Sequence, residues 1–216
     1  MKSLPKIALA VLLAAAATLA GMWLARSRAP TPAAAPLVLQ HATLFGTPRA
    51  MPDFSLLDQS GQPFGPAQMK GHWNILFFGY THCPDICPTT LATLAAAHRQ
   101  LSGLPPADQP QVVFLSVDPK RDTPQHMAEY VKFFDPSFIG VTGEPAAVEA
   151  LTKALGVAVV FNKPDASGNY TVAHTATLFL VDPAGNVAGI FSTPHTPDGI
   201  AHDYRLILQH VAQGSG

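Results

Sequence analysis

The run Asn74–Tyr80, NILFFGY, constrains the fold more than any other part of the chain. It is almost continuously apolar, whereas a half-exposed strand would alternate polar and apolar residues. It therefore reads as a central strand covered on both faces. A helix is expected over Thr89–Leu101, with Pro88 near its first turn, where a missing N–H costs least. Val112–Val117 reads as a second buried strand, and Pro124–Phe134 as a second helix. Glu144–Leu155 reads as a third helix ended by Gly156, and Val157–Phe161 as a further strand. Asp182-Pro183-Ala184-Gly185-Asn186 separates the apolar runs Thr175–Val181 and Val187–Ser192, which is a hairpin pattern. Pro197–Val211 reads as a terminal helix. Strand, helix, strand, helix and final hairpin together imply an α/β fold, a central mixed sheet flanked by helices.

The amino terminus has a different character. Ile7–Ala25 holds 19 residues without a charge, bounded by Lys2 and Lys6 before and by Arg26 and Arg28 after. As a helix it would span about 28 Å, close to the hydrocarbon thickness of a bilayer. The reading is one N-terminal transmembrane helix; a cleaved signal peptide, which Ala15-Ala16-Ala17 would suit, is the alternative. Basic residues flank both sides equally, so charge does not orient the segment. The leader is too short to be a domain, which makes the rest of the chain the exported part. The expected organisation is an anchor over 1–26, a Pro- and Ala-rich linker and lead-in over 27–50, and one domain over 51–212. With no Arg-rich, Ser-rich presequence, the expected location is a bacterial inner membrane, single-pass, with the domain in the periplasm.

The chain of 216 residues has a net charge of −1 and no cluster of Lys and Arg, which excludes a nucleic-acid footprint. Its two cysteines lie together in Cys83-Pro84-Asp85-Ile86-Cys87, directly after the apolar run. A disulfide scaffold would use more cysteines, spread along the chain, so the pair reads as a chemical site. If this loop turns helically, the two side chains share one face, about 5–6 Å apart. A helix N-terminus there is expected to lower both thiol pKa values. That arrangement serves a metal ion or a redox couple, and the pair alone does not separate them.

The run Gly79-Tyr80-Thr81-His82-Cys83-Pro84-Asp85-Ile86-Cys87-Pro88-Thr89-Thr90-Leu91 resembles the signature of the Sco/SenC family of copper chaperones. So do Ser116-Val117-Asp118-Pro119-Lys120-Arg121-Asp122-Thr123-Pro124 and Val172-Ala173-His174-Thr175, all in family order between about Met51 and Val211. The resemblance implies a thioredoxin-like fold and a single N-terminal anchor. It also implies a part in cytochrome c oxidase assembly, the partner being the subunit that carries the dinuclear copper A centre. Further implied partners are other periplasmic copper carriers and thiol reductants. Carried over by position, Cys83, Cys87 and His174 are the expected copper ligands. Two soft thiolates and an imidazole suit Cu(I), and an added oxygen would complete a Cu(II) site.

The other candidates rank lower. Asp122 resembles a family position near the site, but is expected to be a loop or N-cap carboxylate before Pro124, and His82 a solvated neighbour of Cys83. His41, His72, His98, His126, His195, His202 and His210 carry no motif and read as surface or packing residues. Asp118 and Arg121 are expected to fix the loop between strand and helix. A structural zinc site would ask for four protein ligands, and three are evident. The expected function is a metallochaperone, not an enzyme. The competing reading is a membrane-anchored thiol–disulfide oxidoreductase with Cys83 and Cys87 as its redox pair. Such reductases pair CxxC with a cis-proline; here the spacing is three residues, and Ala173-His174-Thr175 has no proline.

Overall fold

The computed structural model describes residues 4–27 and 37–214, which fall into two compact units, 1–36 and 37–216. The described residues of the first unit form a helix, α1 (Leu4–Ser27). Among the described residues no helix is long and apolar enough to cross a membrane, which departs from the expected span over Ile7–Ala25. The ends of that span lie outside the described side chains, which in α1 cover 13–24.

In the second unit, eight of the described strands form one sheet, ordered β1 (Ala42–Ala50), β10 (Asn186–Phe191), β9 (Leu178–Val181), β4 (Asn74–Gly79), β5 (Gln111–Ser116), β6 (Ile139–Thr142), β2 (Leu56–Asp58), β3 (Pro63–Phe64). The parallel strands β4, β5 and β6 form its centre, and antiparallel pairs complete both edges. All six residues of β4 are buried. Successive side chains point to opposite faces, so burial of all six requires cover on both sides. Phe77 meets the ring of Phe114 at 5.7 Å, and Phe78 meets Phe179 edge to face. Asn74, the polar exception, donates to the carbonyls of Met69 and His72.

The helices are α2 (Ile86–Leu101), α3 (Pro124–Phe134), α4 (Pro145–Leu155) and α5 (Pro197–Gly214). Two of them begin and end on signals present in the sequence. Thr123 caps α3 by accepting the His126 N–H, with Pro124 in the first turn. Gly156 ends α4 at φ 72°, a left-handed conformation that suits glycine.

Three elements are more precise than the sequence alone implied. Within the lead-in, residues 42–50 form edge strand β1 on β10. The buried carboxylate of Asp203 on α5 holds it there, accepting the N–H groups of Gln40, His41 and Ala42. The first central helix starts at Ile86, about one turn earlier than expected, which puts Cys87 inside it. His174 ends a short strand not expected from the sequence, β8 (Val172–His174), which pairs with β7 (Val159–Phe161) in a separate two-stranded sheet.

Candidate metal centre

The site is built where β4 ends. After Gly79 the chain turns, the Cys83 N–H donating to the Tyr80 carbonyl at 3.2 Å, and α2 then starts. This leaves Cys83 half-buried and Cys87 fully buried. The Cys87 N–H points to Cys83 Sγ at 3.5 Å, and both thiols are free. Gly79 makes the room: a Cβ at that position would lie 2.9 Å from Cys87 Sγ and 2.5 Å from Phe114 Cε2.

His174 arrives from the β7–β8 hairpin, with Nε2 at 3.3 Å from Cys87 Sγ. Its Nδ1 is 3.1 Å from the Thr175 carbonyl, which can only accept. The proton is therefore assigned to Nδ1, leaving the Nε2 lone pair facing the thiol. One donor atom from each of Cys83, Cys87 and His174 lies within 4.8 Å of the others. The three expected ligands thus converge, although His174 is 87 residues from Cys87.

Burial governs the protonation states. It pushes the Cys87 thiol pKa well up, more than the hydrogen bond from the Tyr80 backbone lowers it. The expected depression of this thiol by the helix N-terminus is overridden, since a buried thiolate loses its hydration. Burial likewise lowers the His174 pKa, against the opposing bond to Thr175, and keeps the ring neutral. Neutral imidazole is the form that ligates a metal.

Two connections hold the hairpin against the cysteine loop. The Tyr80 hydroxyl accepts the Val172 N–H at 3.2 Å, and the Tyr80 ring stands edge to face with His174. Asp118 accepts from Arg121 and from the Tyr170 hydroxyl, while the Arg121 guanidinium lies 3.7 Å over the Tyr170 ring. Asp118 and Arg121 therefore do more than fix their own loop, because they also tie it to the segment that delivers His174.

The sequence profile of the SCO1/SenC family matches residues 43–209. The chain belongs to the SCO1/SenC family. A putative copper-binding protein of Stutzerimonas stutzeri is 42% identical over 165 residues, covering 75% of this chain and 78% of that one. The mitochondrial SCO2 homologue of Mus musculus is 36% identical over 160 residues, covering 74% of this chain and 62% of its own length. Among solved structures, Arabidopsis thaliana ScoI with copper bound superposes with a TM-score of 0.67 at 36% identity. That match covers 73% of this chain and 98% of the other.

Asp122 in this SCO1/SenC protein is not the helix cap, a role taken by Thr123. Its side chain is fully buried and accepts from Ser116 Oγ at 2.6 Å, and from Thr81 Oγ1 at 2.6 Å and Thr81 N at 3.1 Å. His82 and His126 gather beside it. Reading the sequence alone missed this grouping, and the adjacency of His82 to Cys83 was its one local sign. Of the remaining histidines, His98 pairs with Asp135, His202 with Asp203, and His195 contacts the Ala176 carbonyl. His98 and His195 are partly buried and His202 is exposed, within the surface or packing role expected of them.

Proposed function

We propose that this chain is a membrane-anchored carrier that binds one copper ion through Cys83, Cys87 and His174. Its destination is the dinuclear copper A centre of cytochrome c oxidase. One observation carries the reading: the unprotonated Nε2 of His174 faces the Cys87 thiol at 3.3 Å, with Cys83 beside it. Two sulfurs and one imidazole favour copper over hard cations. Two relatives, a putative copper-binding protein of Stutzerimonas stutzeri and Arabidopsis thaliana ScoI with copper bound, support the same cargo.

The residues divide the work. Cys83, half-buried, meets the incoming ion and later the acceptor's thiolate. Cys87 surrenders its thiol proton to bind, and the buried position shields the bound ion from water. His174 adds a borderline ligand that a divalent ion needs more than a monovalent one. The anchor reading rests on the 19 uncharged residues of Ile7–Ala25, and with it the carrier would work at a bacterial inner membrane, facing the periplasm. Confinement there raises its effective concentration near an oxidase.

The second reading, a thiol–disulfide oxidoreductase, is favoured by the pairing of half-buried Cys83 with buried Cys87. Replacing His174 by Ala separates the two. In cells lacking the natural protein at limiting copper, the carrier requires that imidazole for oxidase assembly and responds to added copper. Dithiol exchange tolerates its loss and responds to a thiol reductant. Full oxidase activity with His174→Ala would overturn the carrier in favour of the reductase.

A further inference from the structure

The buried Asp122 carboxylate has no Lys or Arg partner among the described residues; its one ionisable partner is His82, at 3.7 Å. A carboxylate fully removed from water normally finds a cation. The neutral donors Ser116 and Thr81 orient it, holding Oδ2 with two hydrogen bonds and Oδ1 with one. His82 and His126 stand on the open side, their rings edge to face at 5.3 Å. One donor atom each from His82, Asp122 and His126 lies within 4.8 Å of the others.

We propose that His82, Asp122 and His126 form a second metal site, for a divalent transition ion, next to the thiol site and distinct from it. Two imidazoles and a carboxylate are borderline and hard donors, so they discriminate against Cu(I), and the affinity order places Cu(II) above Ni(II) and Co(II). The Thr81 hydroxyl marks the point of convergence, lying 2.6 Å from Asp122 Oδ1, 3.0 Å from His82 Nδ1 and 3.5 Å from His126 Nδ1. Having given its proton to Asp122, that oxygen can only accept from the two rings. On metal binding, the rings turn their lone pairs inward and Thr81 rotates aside about one bond. Donors on one ion sit about 3–3.5 Å apart at bond lengths of about 2.0–2.2 Å. The gap closes mainly through His82, whose side chain is 43% exposed and free to change rotamer.

The test uses the full chain in detergent, without an added histidine tag, carrying Cys83→Ser and Cys87→Ser so that no thiolate competes. Titration with Cu(II) should give one equivalent with a paramagnetic resonance spectrum of nitrogen and oxygen ligation. His126→Ala in that background should weaken binding by about 10–100-fold or more, while His98→Ala leaves it unchanged. If the serine background does not fold, stoichiometry decides: His126→Ala in the natural chain should lower divalent metal uptake from two equivalents to one. Absence of a stoichiometric nitrogen-ligated site, or equal binding with His126→Ala, overturns the proposal.

Discussion

His174 Nε2 lies 3.3 Å from Cys87 Sγ, joining the end of a small hairpin to the first turn of a helix 87 residues earlier. In this geometry the imidazole completes a site whose sulfurs already suffice for linear Cu(I). His174→Ala should therefore weaken Cu(II) by at least about tenfold and Cu(I) much less. Competitive titration of each oxidation state against a chelator checks this, and equal losses would contradict the ligand roles.

Copper uptake should strengthen as pH rises. Burial raises the Cys87 pKa far above neutrality, so binding must expel that proton throughout the neutral range. Apparent Cu(I) affinity should climb by up to about tenfold per pH unit for each proton displaced. A flat profile between pH 6 and 8 would mean that Cys87 does not ligate.

Gly79→Ala tests the fit behind the thiols. The added methyl would press on Cys87 Sγ and the Phe114 ring, with little room on either side. Denaturant unfolding should show a loss of about 1–3 kcal/mol, and copper affinity should fall with it. Gly103→Ala, whose Cβ would meet nothing within 4 Å, serves as the control.

Tyr80→Phe removes the acceptor of the Val172 N–H while keeping the ring. An unpaired buried N–H costs about 1–3 kcal/mol. Because the bond anchors the hairpin that carries His174, Cu(II) affinity should fall while the cysteine pair keeps Cu(I). Unchanged Cu(II) affinity would show that the hairpin is positioned by other contacts.

Asp203 links stability to pH. Burial works to raise its pKa, but the N–H groups of His41, Gln40 and Ala42, together with His202, hold it below the usual carboxylate range. The stabilisation is then fully present above the unfolded value of about 3.9 and lost as pH falls through the lower folded value. Asp203→Asn should destabilise the protein by about 1–3 kcal/mol at neutral pH, and the difference should shrink in acid. A difference independent of pH down to 2 would remove Asp203 from this role.

Much of this protein is written locally. The buried strand at Asn74–Gly79 and the Pro124–Phe134 helix follow from apolar patterning, Thr123 and Pro124, all within a few residues of the elements they define. The cysteine pair is local too, and the resemblance of three short motifs singled out His174 among nine histidines. Other features had no local sign. Strand β1 contains Gly46 and Pro48 and lacks regular alternation; it exists because Asp203, about 160 residues away, gathers its backbone N–H groups. The high Cys87 pKa depends on burial under distant elements, which outweighs the helix terminus visible in the sequence. His126 reads alone as an ordinary helix residue, and only the parallel pairing of β4 with β5 brings the start of its helix beside His82. Sequence patterns report forces acting within a turn of helix or a stretch of strand. Which distant side chains share a site, and how dry that site is, is decided only when the sheet closes and brings them together.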